Sequence, residues 1–73
     1  MEVEQIVKSG EDSFKNKSCQ YVEFFGRNRD FIDLMKAGKF LEKKDYNIIF
    51  KTEGEEYRPR YRLTIKNPNY IKN

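Results

Sequence analysis

A row of cations alternates with apolar residues over positions 57–66, near the end of the chain. The even positions of the row are Arg58, Arg60, Arg62, Thr64 and Lys66, and the odd positions are Tyr57, Pro59, Tyr61, Leu63 and Ile65. Because successive side chains of an extended strand point to opposite faces, this alternation predicts a strand with one buried face and one cationic face. Same-face side chains lie roughly 6.5–7 Å apart, close to the spacing of about 6–7 Å that we expect between phosphates along a nucleic-acid strand. The row is therefore a candidate site for phosphate contact.

The segment 46–52 alternates in the same way and predicts the first arm of a β-hairpin with the basic row as its second arm. Its inward positions are Tyr46, Ile48 and Phe50, and its outward positions are Asn47, Ile49 and Lys51. A loop of Gly54 and Glu55 sets a register in which inward residues face one another. The pairs are Phe50 with Pro59, Ile48 with Tyr61, and Tyr46 with Leu63.

This register also places Lys51 opposite Arg58, where the lysine extends the cationic face. Pro59 has no backbone N–H to donate to a neighbouring strand. We therefore expect the arginine strand to lie at a sheet edge or to carry a bulge at Pro59.

Residues 19–25 predict a further strand that ends at Gly26. Val22 and Phe24 make one side apolar, and Cys19, Tyr21 and Phe25 make the other side apolar. Such a strand is usually central and covered on both faces, which is the interpretation we favour. The alternative is a strand covered once, with Tyr21 and Phe25 exposed to a partner.

Helical spacing is clearest at Phe31, Leu34, Met35, Gly38 and Leu41. Asn28 or Asp30 can cap this helix, which either continues through Gly38 or ends there. Residues 2–8 fit a helix or a short strand, and residues 9–13 predict a turn-rich break.

These elements predict an α+β fold, a small antiparallel sheet of three or four strands with one helix packed on one face. A chain of 73 residues forms one domain, 1–73, with a single core. We expect residues 67–73 to fray unless Tyr70 and Ile71 dock.

The composition argues against catalysis. The chain has no histidine, a single cysteine and four scattered glycines, so it offers neither the commonest general base nor a phosphate-binding glycine loop. Glu53, Glu55 and Glu56 can in principle hold a hard metal ion, but neighbouring acids in a turn are more often solvated. We predict that the protein is not an enzyme and has no metal site and no cofactor.

Charge is distributed unevenly along the chain, whose formal net charge is +3. Residues 1–14 carry four acids against one lysine, whereas residues 57–73 carry five cations and no acid. This asymmetry favours an anionic partner at the C-terminal hairpin. The candidate binding residues are Arg58, Arg60, Arg62, Lys66, Lys51, Tyr21 and Phe25, with Tyr57 and Tyr61 as further stacking residues if exposed. The competing interpretation is that Glu23, Glu53, Glu55 and Glu56 neutralise the arginines as an ordinary charged surface.

Two functional hypotheses follow. The first is a small binding protein that contacts the nucleic-acid backbone through the basic hairpin. The second is an inhibitor of the phage type that blocks a host nucleic-acid-processing or defence enzyme; frequent Lys, Asn, Ile and Tyr fit a phage or mobile-element reading frame. The partner is thus nucleic acid or a nucleic-acid-binding host protein, with a homodimer through an edge strand as a third option. With no signal peptide or apolar span in the sequence, we expect no membrane association and a cytoplasmic location.

Overall fold

The computed structural model describes residues 2–71 and confirms an α+β fold, with a three-stranded antiparallel sheet. The elements are α1 (Val3–Ser13), β1 (Tyr21–Gly26), a short 3-10 helix (Asn28–Asp30), α2 (Phe31–Lys43), β2 (Ile48–Glu55) and β3 (Arg58–Lys66). Residues 3–13 thus add a second helix to the one expected from the sequence. Neither helix in this part of the chain is long and apolar enough to cross a membrane.

The basic strand β3 is the central strand, because the sheet order is β1-β3-β2. The expectation that β3 lies at an edge is therefore wrong for most of its length. Pairing with β1 stops at Gly26 opposite Tyr61, so residues 58–60 pair with β2 alone. Pro59 lies in this singly paired part, where a missing N–H is tolerated. A free edge along a whole strand is offered by β1 and β2, whereas β3 is free on one side only at residues 58–60.

The β2–β3 hairpin forms, but in a different register from the one predicted. The turn residues are Glu56 and Tyr57, and Phe50 lies opposite Leu63 instead of Pro59. The shift is an even number of positions, so inward residues still face inward residues. Its physical effect is to place Ile48 opposite Ile65, in the middle of the core, and not opposite Tyr61.

Both helices pack on the same face of the sheet and bury a single core with it. The buried hydrophobic residues are Ile6, Val7, Phe14, Leu34, Ala37, Leu41, Leu63 and Ile65. Val22 and Phe24 of β1 and Ile48 and Phe50 of β2 pack against this cluster from the sheet. The inward residues of all three strands therefore face the helices, as the alternation predicts.

The predicted turn at residues 9–13 is wrong, since these residues complete α1. Tertiary packing overrides the local turn signal at Gly10, which is buried against the sheet. A methyl group added there would meet Ile65 Cδ1 at 3.6 Å and Val22 Cγ2 at 3.8 Å, which are ordinary contact distances. The helix therefore lies near the sheet at a distance that would also accommodate an alanine at this position.

Helix α2 continues through Gly38 and ends at Lys43. Asp45 adopts a left-handed conformation with φ 68°. The Asp45 N–H donates to the Glu42 carbonyl and the Tyr46 N–H donates to the Leu41 carbonyl, both within 3.1 Å. These two bonds satisfy carbonyls at the helix end in the Schellman pattern and turn the chain toward β2.

Asn67 fastens the segment after β3 to the loop before β1. Its buried side-chain amide donates to the carbonyls of Asn16 and Cys19 at 3.2 and 2.7 Å, and its oxygen accepts the Asn69 N–H at 2.9 Å. The Ile71 N–H donates to the Lys17 carbonyl at 3.1 Å. Residues 67–71 of the predicted fraying tail thus make specific contacts, and residues 72 and 73 lie outside the described part of the chain.

Two glycine substitutions should change stability in opposite directions. Gly10→Ala should raise the free energy of unfolding by about 0.5–1 kcal/mol, because alanine favours the helix and its methyl group fits. Gly26→Ala should lower it by about 1–3 kcal/mol, because the new Cβ would lie 2.5 Å from Asp30 Cβ and force a local shift. Urea unfolding of both variants measures the difference, and a loss of stability in Gly10→Ala would contradict the space for a methyl group between α1 and the sheet.

A nearly isosteric replacement of Asn67 should lower the free energy of unfolding substantially. Asn67→Asp keeps the shape but removes both N–H donors, so two carbonyls lose their partner, at a cost of about 2–3 kcal/mol. Asn69→Asp is the matched control, because it adds the same charge nearby on an exposed side chain. Thermal unfolding should show a much lower midpoint temperature for Asn67→Asp and little change for the control. Equal decreases in the two variants would contradict the role of the Asn67 amide.

Candidate functional site

The face of the sheet turned away from the helices, hereafter the outer face, is uncovered by any element within residues 2–71. It carries the residues that alternate with the core, namely Tyr21, Glu23 and Phe25 on β1, Arg58, Arg60, Arg62, Thr64 and Lys66 on β3, and Ile49, Lys51, Glu53 and Glu55 on β2. Tyr21 and Phe25 are 48% and 46% exposed. The favoured expectation that this strand is covered on both faces is wrong, because both helices lie on the other side and β1 is an edge strand.

A chain of ion pairs crosses the outer face from β1 to β2. Arg62 lies at its centre: one guanidinium nitrogen is 3.3 Å from Glu23 Oε2, and Nε is 2.7 Å from Glu53 Oε1. Glu53 Oε2 in turn is 3.3 Å from a guanidinium nitrogen of Arg60. The side chains of Arg62 and Glu53 are each 29% exposed, so this pair is partly shielded from water.

These ion pairs neutralise two of the arginines of the predicted basic row. Arg60 also lies over the Phe25 ring, with its guanidinium carbon 5.2 Å from the ring centre. The arrangement follows from the true strand order, which places Glu23 on one side of β3 and Glu53 on the other. The centre of the row is therefore partly an ordinary charged surface, as the competing interpretation has it.

The two lysines of the predicted site remain exposed and make no ion pair with a carboxylate of residues 2–71. Lys51 lies opposite Arg62 and not opposite Arg58, which is a consequence of the changed register. Lys66 lies opposite Tyr21. Together with Tyr21, Arg62 and the Glu23 carboxylate that pairs with Arg62, they border a shallow depression of about 320 Å³. Cations and an aromatic ring thus meet at this end of the outer face.

Arg58 lies on the outer face as Arg62 does, but at the end of the face that borders the hairpin turn. It lies at the hairpin tip opposite Glu55 and lines an open cleft of about 480 Å³, together with Arg27, Asn28, Arg29, Tyr57 and Pro59. We call this the arginine cleft. The Tyr57 side chain was expected to point inward, but it lies in the turn and is 79% exposed. A hydrogen bond with Glu55 raises the pKa of Tyr57 above its ordinary value.

Arg27 and Arg29 are the residues of this cleft that sequence reasoning missed. The only signal for them is their spacing of two positions directly after a strand, which is too common to indicate a site. Their approach to Arg58 depends on the pairing of β1 with β3, which brings the end of one strand beside the start of the other.

The remaining tyrosines and acids offer less to a partner. Tyr61 is half-buried among Phe31 and Phe50, and its hydroxyl donates to Asn28 Oδ1 at 3.1 Å, so its ring is not a stacking surface. Burial and the neighbouring Glu11 carboxylate raise the pKa of Tyr46, on the helix side of the sheet. No group of three or more acidic or cysteine side chains within residues 2–71 could hold a metal ion.

The carboxylate of Glu53 controls how basic the outer face is. Glu53→Gln should lower the free energy of unfolding by about 1 kcal/mol, because Arg62 keeps a partly shielded charge with one fewer partner. The same change frees Arg60 and leaves Arg62 with Glu23 as its remaining ion-pair partner, so the variant should elute from a heparin column at higher salt. Glu56→Gln removes an equal charge from an exposed turn residue that makes no ion pair within residues 2–71. Equal heparin retention in the two variants would contradict the proposed control by Glu53.

Comparison with known proteins does not place this chain in a family. No protein-family model matches the sequence, and no curated protein or solved structure matches it.

Proposed function

We propose that the chain is a small, non-catalytic binding protein that contacts single-stranded nucleic acid through the outer face. The observation that carries the proposal is the open sheet face on which Tyr21 and Phe25 are exposed next to cations. Positively charged side chains follow a phosphate backbone, and exposed rings stack on bases regardless of their sequence. The proposal keeps the basic hairpin of β2 and β3 as one part of the surface and adds β1 as the part that supplies the rings.

The exposed rings favour a single strand over a duplex. Bases in a duplex stack on one another, so a flat sheet face cannot reach their ring surfaces. The two rings lie on the same side of β1, four positions apart, which is roughly 13 Å along a strand. An extended strand with unstacked bases can span this distance.

Because Arg60 and Arg62 already form ion pairs, we expect them to attract the phosphates of a nucleic acid only weakly at the centre of the face. A carboxylate beside a guanidinium lowers its attraction for phosphate, so the free cations at the periphery carry more of the electrostatic attraction. These are Lys51, Lys66 and Arg58. We therefore expect an affinity that decreases only modestly as the salt concentration rises and that shows little preference for base sequence.

One observation also favours the inhibitor hypothesis. Because Arg60 and Arg62 already have carboxylate partners, the centre of the outer face combines paired arginines with exposed tyrosine and phenylalanine. Arginine and aromatic residues are enriched in protein interfaces. The ratio of absorbance at 260 and 280 nm in the purified protein, before and after a high-salt wash, distinguishes the two proposals by showing whether nucleic acid copurifies.

Charge reversal at the periphery of the face tests the nucleic-acid proposal. Lys51→Glu/Lys66→Glu should weaken binding to a 12-nucleotide oligothymidylate by about 10-fold or more, and should lower the salt slope by about 0.7 for each lost contact. Fluorescence anisotropy over a salt series gives both values. The control Lys36→Glu/Lys39→Glu makes the same charge change on α2, on the other side of the sheet.

The stacking part of the proposal needs a second probe that carries charge but no bases. Tyr21→Leu/Phe25→Leu should weaken oligothymidylate binding, while heparin binding stays at the level of the unmodified protein. Equal loss for both lysine pairs, or equal loss for oligothymidylate and heparin in the leucine variant, would refute a specific outer-face site.

A further inference from the structure

The arginine cleft brings together three arginines that form no ion pair with a carboxylate within residues 2–71. Three of its six lining residues are arginines, and no carboxylate lines it. Within residues 2–71, none of Arg27, Arg29 and Arg58 forms an ion pair with an acid, in contrast to Arg60 and Arg62 on the adjoining face.

The backbone on both sides of the cleft is held in place. The Arg27 N–H donates to the Asp30 carboxylate at 3.0 Å, and the Asp30 N–H donates to the Arg27 carbonyl at 2.8 Å. Tyr61 of β3 donates to Asn28 Oδ1, which ties this segment to the strand that carries Arg58. These hydrogen bonds hold the backbone from which the three exposed arginine side chains extend.

This set of groups matches a phosphate better than other anions. Guanidinium forks donate two parallel hydrogen bonds to phosphate oxygens, and a bound dianion offsets the mutual repulsion of the three cations. The rim of the same cleft carries the Tyr57 ring, the most exposed of the large hydrophobic side chains in residues 2–71. A phosphate site beside an exposed ring has the two features that recognise a nucleotide.

We propose that the arginine cleft binds one nucleotide of a single strand, with its phosphate on Arg27, Arg29 and Arg58 and its base on Tyr57. The inference rests on the proposed function, because the ligand is the same nucleic acid. Arg58 connects the two surfaces, since it lines the cleft and also belongs to the outer face. The bound nucleic-acid strand would thus pass from the outer face around the hairpin tip, and one of its nucleotides would lie in the cleft.

Titration with mononucleotide probes the cleft directly. Thymidine 5′-monophosphate added to ¹⁵N-labelled protein should shift the amide signals of residues 27–29 and 57–58, with weak, millimolar affinity. Inorganic phosphate should shift residues 27–29 and 58 with a smaller effect on Tyr57, and thymidine without phosphate should leave all of them nearly unchanged. Shifts that are equal for thymidine and its monophosphate would overturn the assignment of the arginines.

Variants test the cleft on a longer strand. Arg27→Ala/Arg29→Ala should weaken oligothymidylate binding about 10-fold and lower the salt slope by about 1.4, which corresponds to two phosphate contacts. Tyr57→Leu should weaken it by roughly 5-fold or more, whereas Tyr57→Phe should retain most of the affinity because the ring remains. Lys36→Ala/Lys39→Ala is the control for the loss of two positive charges, and amide spectra of each variant establish that it is folded.

The outcomes separate this inference from the function on which it rests. If the unmodified protein binds oligothymidylate and the arginine variant behaves like the lysine control, the cleft is not a site and the outer face stands. If the unmodified protein does not bind oligothymidylate, the proposed function fails. The titration with thymidine 5′-monophosphate then still tests whether the cleft binds a nucleotide. An absence of shifts at residues 27–29 in that titration would overturn the inference.

Discussion

The packing of β3 between two neighbouring strands is the constraint on which the rest of the structure depends. Leu63 and Ile65 are fully buried beneath both helices, so the orientation of this strand is fixed by the core. Because successive side chains alternate between the two faces, burying Leu63 and Ile65 also determines which side chains point outward. Arg62 must therefore point outward between Glu23 and Glu53, and the ion pairs of the outer face follow from the burial of two aliphatic residues.

The electrostatics of the outer face are consequently a property of three strands and not of one. Along the sequence, the arginines of β3 form an unbroken cationic row. Across the sheet, the central arginine is flanked by carboxylates, and the cations without an ion pair lie around this group, at Lys51 on the β2 edge, at Lys66 and at the hairpin tip. A binding surface of this kind has a nearly neutral middle, which favours ring and shape contacts there and backbone contacts at the two ends.

The sequence predicts side-chain alternation well and strand neighbours poorly. The inward faces of β2 and β3 were predicted correctly because a period of two depends only on local residue order. Their register was not, because a shift by an even number of positions leaves the alternation unchanged. Helix α1 was obscured by Gly10, whose turn preference is overridden by packing on Ile65. The arginine cleft was beyond prediction, since it needs β1 beside β3, and that pairing joins residues distant in the chain.

The strand order β1-β3-β2 also determines when the domain can be completed during folding. β2 and β3 are joined by a short turn and can pair early, whereas β1 must close a loop of about 40 residues, which is entropically more costly and slower. Until the chain has been synthesised as far as Lys66, β1 cannot form its full set of pairs with β3, and the core that buries its inner residues is incomplete. Val22 and Phe24 therefore stay available to non-native contacts and to chaperones until β3 has followed, although β1 is the first of the three strands to be made.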